Sequence, residues 1–271
     1  MTAAPVLVAS APRRIVGDGP LVEFFDRDCE HLKAWLRYLS VRGETVFAVG
    51  NNCDTCQFWF ERLEGDAAPI DIEALSGILA DGLRTLDEEV VAAFGRILAE
   101  GDYRVALFRL TPERVAPGTD ADYLYNEQGA DWPYFEERDF IDAATDYYRP
   151  ADRPAITVAG EPGFDFLVPL QRPDFLDEVR IASFGKRLAD GAAPTAVAVG
   201  LLDVKHTYPS EVRHWCLAHY LLDGHHKVEA AARAGRPVTL LSFIAHSAGF
   251  SSAEQLDRLL GAYPTEAEPA A

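Results

Sequence analysis

The chain has 271 residues, 48% of them hydrophobic, and carries 25 Lys and Arg against 43 Asp and Glu, a formal net charge of −18. That length suits one large domain or two small ones, and an acidic balance argues against blanket neutralisation of duplex phosphates, so direct duplex DNA binding is not expected. No apolar run approaches the roughly 20 residues needed to cross a bilayer, and Met1 to Arg14 lacks the basic start and apolar stretch of a signal peptide, so a soluble cytoplasmic protein with no membrane partner is expected.

In chain order, residues 1–20 are small and Pro-containing and read as a loose tail. The spacing predicts an amphipathic helix over Asp28 to Leu39, then a short strand over Thr45 to Val49. The polar turn Gly50-Asn51-Asn52 leads into Cys53-Asp54-Thr55-Cys56 and the aromatic run Phe58 to Phe60. Helical spacing returns over Ile72 to Ala80 and Asp87 to Ala99. Tyr103 to Leu110 reads as a strand stopped by Thr111-Pro112.

Residues 117–163 are rich in Asp, Tyr, Pro and Gly with little periodicity, which predicts a long irregular connection and a boundary near Pro162. Beyond it the pattern sharpens. Asp174 to Leu188 is predicted helical, offering Phe175, Val179, Phe184 and Leu188 for one face and ending at Asp190-Gly191. Strands are predicted over Ala196 to Leu202, Trp215 to Leu222 and Val238 to Ile244, with an Ala-rich helix from His225 to Ala234 stopped by Gly235. The expected division is therefore a tail (1–20), an N-terminal α/β region (21–162), a C-terminal domain (163–250), and a final helix and tail (251–271).

Charge is uneven along the chain. Phe166 to Phe250 holds nine Lys and Arg against eight Asp and Glu, together with six of the seven histidines, while the remainder carries the acidic excess. An anion is expected to bind there if anywhere. The sharpest signal lies inside this stretch, where a strand passes through Asp223-Gly224 directly into His225-His226-Lys227 and a helix. Glycine permits the tight turn and close backbone approach of a ligand, while first-turn N–H groups and the helix dipole attract negative charge. Cationic side chains at that end are unfavourable alone, which points to a compensating anion, a phosphate above all. The plain alternative is an ordinary connection with solvent-facing histidines.

A strand, Asp-Gly-His-His-Lys, an Ala-rich helix ending in Gly and a further strand together resemble the ParB/sulfiredoxin-like superfamily, whose usual form of the motif ends in Arg. The upstream order is similar: a helix ending Lys186-Arg187-Leu188-Ala189-Asp190-Gly191, then Pro194 to Val199 in place of a "PI-x-V" strand. The resemblance covers residues 167–244, under a third of the chain. It implies an α+β protein with a C-terminal ParB/sulfiredoxin-like mixed α/β domain beside an acidic N-terminal α/β region. His225 stands where sulfiredoxins carry their catalytic Cys, which excludes that thiol chemistry. The appended DNA-binding helices of ParB proteins have no counterpart after Gly249.

The motif is most similar to that of the free-serine kinases of the superfamily. Carried over, Asp223, Gly224, His225, His226 and Lys227 would form the phosphate site for ATP or ADP, with Mg as an accompanying ion, and a carboxylate elsewhere would act as base on a small-molecule hydroxyl. Lys227 supplies charge without the bidentate fork of Arg. Glu178 and Asp223 are the candidate bases. A non-catalytic, nucleotide-responsive regulator or DNA-associated adaptor is the alternative, and a zinc-stabilised interaction protein is a further one.

That last reading rests on Cys53 and Cys56, whose spacing suits one metal, with Cys29 and His31 as further ligands for zinc. Simple packing and a redox pair are the other readings of Cys53 and Cys56. Cys216 is expected in the core. Trp35, Trp59, Trp132 and Trp215, with the Phe and Tyr residues, are expected in the core rather than stacked on a cofactor, and Tyr123, Tyr125, Tyr134, Tyr147 and Tyr148, which fall in the irregular region, are alternatively candidates to line a substrate pocket. The absence of G-x-x-x-x-G-K-[ST], G-x-G-x-x-G after a strand, G-x-S-x-G and H-E-x-x-H argues against a P-loop enzyme, a dinucleotide oxidoreductase, an α/β-hydrolase and a zincin. The sequence leaves oligomeric state open.

Overall fold

A computed structural model describes residues 4–17, 19–29, 34–63, 68–131, 146–150, 154–206 and 212–266. In chain order the elements are β1 (Val6–Ile15), β2 (Val22–Cys29), β3 (Ala34–Val41), β4 (Glu44–Asn51), β5 (Glu61–Arg62), α1 (Ser76–Asp81), α2 (Glu88–Gly95), β6 (Gly101–Leu110), β7 (Pro112–Val115) and α3 (Glu127–Asp131). Then follow β8 (Tyr147–Pro150), β9 (Ile156–Val158), β10 (Glu161–Pro169), α4 (Glu178–Ala189), β11 (Thr195–His206), β12 (Arg213–Asp223), α5 (His225–Ala234), β13 (Val238–Ala245) and α6 (Ala253–Leu260). Among the described residues no helix is long and apolar enough to cross a membrane.

The fold is mixed α+β and built on one large mixed sheet. Its order is β1-β6-β13-β11-β12-β10-β8-β7, with β9 paired to β10. The β10–β12 and β11–β13 pairs are parallel and the other pairs antiparallel. A second sheet has the order β2-β3-β4-β5. Alternate residues of the central strands feed two separate cores. Val197, Val199, Tyr220, Leu222 and Phe243 pack with the small sheet, α1 and α2. Ala196, Ala198, Leu217, Leu221 and Leu240 pack beneath α4, α5 and α6. Burial on both faces explains why β11, β12 and β13 read as continuous apolar runs rather than alternating ones.

Four expectations are corrected. The expected N-terminal tail contains β1, a ten-residue edge strand hydrogen-bonded to β6. Its Pro12 is tolerated because an edge strand has one unpaired side. The helix expected over Asp28 to Leu39 is instead the β2–β3 pair; Leu36 and Leu39 satisfy a helical period, but Leu39 and Val41 also alternate as buried strand positions. The boundary at 162/163 does not divide the large sheet, since β10 runs across it and β1, β6, β7 and β8 all belong to that sheet. The expected irregular connection holds the strands β8 and β9 within its described part.

The helix expected from Asp174 is preceded by a separate turn of 3₁₀ helix (Pro173–Phe175), and Asp177 then caps α4 by accepting from the N–H groups of Val179 and Arg180. That offset rotates the buried face onto Ile181 and Leu188, with Phe184 half-buried, while Val179 is 78% exposed. The end of α4 and the whole of α5 fall where expected, α5 over His225–Ala234.

Candidate functional site

The turn at Asp223-Gly224 reverses the chain from β12 into α5. Gly224 has φ of +92°, and a Cβ there would stand 2.7 Å from both Cα and Cβ of Ala196. Left-handed backbone and close contact thus each demand glycine. Gly224→Ala is expected to lower the free energy of unfolding by about 2–4 kcal/mol, combining left-handed strain with overpacking. Urea-denaturation midpoints measure it, and a loss under about 0.5 kcal/mol would mean the turn relaxes freely.

No side chain caps the N-terminus of α5, which leaves its first-turn N–H groups open to a ligand. The turn residues line a cavity of about 360 Å³ shared with Asp71, Asp177, Arg180 and Phe184. Ile70 N–H donates to the carbonyl of Leu222 at 2.8 Å, which brings Asp71 alongside the end of β12.

The side chains of the motif do not present the cationic groups expected at the start of the helix. His225 is 2% exposed, and burial pushes its imidazole down to about 3, so it is neutral at pH 7. Its Nε2 is buried with no hydrogen-bond partner. His226 accepts from the N–H of Asp177 through Nε2 at 3.0 Å. Burial, then Arg180, lowers its pKa, which agrees with a lone pair used as an acceptor. The Lys227 ammonium turns inward, donating to Asp223 Oδ2 at 2.8 Å and to the carbonyl of Thr195 at 2.9 Å. What faces an incoming anion is backbone and Arg180, opposed by Asp71, Asp177 and Asp223.

Neither candidate base is unencumbered. Asp223 lines the cavity but is paired with Lys227. Glu178 lies on the exposed first turn of α4, away from the cavity lining, where both carboxylate oxygens accept from Arg233. Those bonds hold its pKa below the usual carboxylate range. Asp71, Asp177 and Arg180 were not among the residues expected at the site. Asp177 had a legible signal as a helix cap, whereas Asp71 comes from a distant segment and had none.

Of the residues named for zinc, the structure describes Cys53, Cys56 and the backbone of Cys29. Cys53 and Cys56 are joined to one another in a disulfide, so neither sulfur is free as a ligand. Cys29 is the last residue of β2, and His31 lies outside the described residues. Among the described residues no group of three or more His, Cys, Asp or Glu is placed to hold a metal.

Of the two readings of the tyrosines, core and pocket lining, the described ones mostly take the first. Tyr123, Tyr147 and Tyr148 are buried in the core. Tyr123 packs among Phe58, Phe164 and Phe166, with its hydroxyl 2.9 Å from His214 Nδ1 and 3.4 Å from Cys216 Sγ. The Tyr147 hydroxyl donates to Asp122, and that of Tyr148 to the buried Glu229. Tyr125 is partly exposed, and Tyr134 lies outside the described residues. Of the tryptophans, Trp59 and Trp215 are buried, Trp132 lies outside the described residues, and Cys216 is buried as a free thiol. No family model, curated protein or solved structure matches the chain.

Proposed function

We propose that the protein binds a nucleotide, or another phosphorylated small molecule, at the β12–α5 turn, and that it serves phosphate transfer from ATP or ADP to a small-molecule hydroxyl. The observation that carries this reading is an uncapped helix N-terminus behind a left-handed glycine, opening on a cavity that also presents Arg180. The succession strand, helix, two strands, Asp-Gly-His-His-Lys, helix, strand from β10 to β13 supports it, being the order on which the ParB/sulfiredoxin-like resemblance rests. A cavity of about 360 Å³ falls within the usual range of small-ligand sites.

In the transfer step the substrate hydroxyl oxygen attacks the terminal phosphorus and the bridging P–O bond breaks. ATP leaves as ADP, or ADP as AMP, while the hydroxyl proton passes to a carboxylate. Asp71, Asp177 and Asp223 line the cavity; Asp177 is taken up in capping α4, which leaves Asp71 and Asp223 as the carboxylates for that role. His225 and His226 orient the turn as neutral groups, and Lys227 braces it from inside. The non-catalytic nucleotide-responsive reading is favoured by one specific fact, that Asp223 and Glu178 are both committed to ion pairs.

Thermal unfolding with ATP, ADP and CTP tests the binding. Ligand at one hundred times its Kd contributes about 2.7 kcal/mol, an upward shift of several degrees that Arg180→Ala should reduce. No shift with any of the three at millimolar concentration removes the nucleotide and, with it, the phosphate-transfer reading. Product analysis then separates the two readings: binding without turnover leaves the regulator.

A further inference from the structure

A second cavity, about 470 Å³, opens at the same end of the large sheet, where α1 and α4 end and β13 begins. Arg84, Arg109 and Arg236 all line it. From this convergence we infer a second anion-binding site, specific for a phosphate group and separate from the β12–α5 turn.

Arg84 and Arg236 are exposed, and among the described residues neither has a carboxylate within ion-pair distance. Arg109 projects from β6 half-buried; one terminal nitrogen meets Glu266 while its Nε is buried with no acceptor. Asp81 is the carboxylate on the rim, and it is engaged by Arg187 at 3.2 Å. Three guanidinium groups thus line the cavity against one carboxylate, in a chain whose net charge is −18. Three converging guanidinium groups supply positive charge to the cavity, and their planar forks suit phosphate oxygens bidentately.

The rival explanation is that these arginines offset the negative C-terminal ends of nearby helices. Those ends are closed by backbone: Gly82 N–H donates to Ile78, Ala192 to Arg187 and Arg236 to Ala231. The two cavities are divided by Thr195, whose hydroxyl takes the N–H of Leu83 on one side and whose carbonyl takes Lys227 on the other. Along α4, Arg180 lines the first cavity and Leu188 the second, about 12 Å apart at 1.5 Å per residue. One small anion therefore cannot serve both.

The test is a titration of the full chain with inorganic phosphate at low ionic strength, read by ³¹P NMR line broadening, with acetate as the carboxylate comparator. Arg84→Ala/Arg236→Ala, made in an Arg180→Ala background so that the β12–α5 turn is not the site being read, is expected to raise the phosphate Kd at least tenfold with an unchanged urea midpoint, whereas Arg258→Ala on α6, outside both cavities, leaves it unchanged. Glu266→Gln, which releases Arg109, is expected to tighten binding several-fold. The site is overturned if the arginine double variant binds phosphate as the parent does, if the parent binds none, or if acetate binds equally well.

Discussion

Asp203→Ala is expected to lower the free energy of unfolding by about 3–5 kcal/mol, and to cost more than Arg37→Met. Both side chains are buried, and they form a bidentate pair with N–O distances of 2.7 and 2.6 Å. Asp203 comes from β11 of the large sheet and Arg37 from β3 of the small one. Arg37 also donates to the carbonyls of Val49 and Ala248, and Asp203 accepts from the N–H of Phe250. One ion pair thereby fastens both sheets to the loop that precedes α6.

The asymmetry between the variants follows from Lys205. Its ammonium is buried 3.3 Å from Asp203 and donates to the carbonyl of Cys53. Without Asp203, Arg37 and Lys205 both lose the buried carboxylate that lies against them. Without Arg37, Asp203 keeps Lys205 and the Phe250 amide, and methionine refills the volume. Burial by itself pushes Asp203 up, yet Arg37 and Lys205 outweigh it and hold the group at about 2. Its stabilising contribution is therefore complete above the ordinary value near 3.8 and is lost as pH falls through about 2. Urea midpoints at pH 7 measure both variants, and equal losses would show that Lys205 is not coupled to the pair.

Arg37 also shows why part of the fold was not legible. A charged residue inside a strand obscures the alternating pattern of β3, and its partner stands 166 positions away. Periodicity therefore favoured a helix. Similarly, Ala9, Ser10, Ala11 and Pro12 have no strand preference of their own, and β1 exists because β6 offers it a register. The elements read well were those whose signals are local: the continuous apolar runs of β11 to β13, and the glycines bounding α5. At the candidate site the turn was legible because Gly224 is dictated by backbone geometry. The roles of His225 and Lys227 were not, because residue type does not reveal whether a side chain turns outward or is taken up by Asp223 and Thr195.

Asp165→Asn is expected to remove a pH dependence worth about 4 kcal/mol from the folded protein. Asp165 lies on β10, fully buried on the face covered by the C-terminal helices, where it accepts a hydrogen bond from the hydroxyl of Tyr263 just after α6. Burial raises its pKa to about 7, while the Tyr263 bond and the more distant Arg149 oppose the rise without overcoming it. A carboxyl raised in this way stabilises the fold fully below its ordinary value near 3.8, and that stability is lost as pH climbs to about 7. Asparagine keeps the oxygen that accepts from Tyr263 and does not titrate. The variant should therefore gain on the parent by about 1.4 kcal/mol per pH unit between roughly pH 4 and 7, ending several kcal/mol more stable at pH 8. Against a typical total of about 5–15 kcal/mol, that is a large fraction of the parent's stability. Urea unfolding of both proteins across this range is the measurement, and parallel stability curves would mean that Asp165 is ionised throughout.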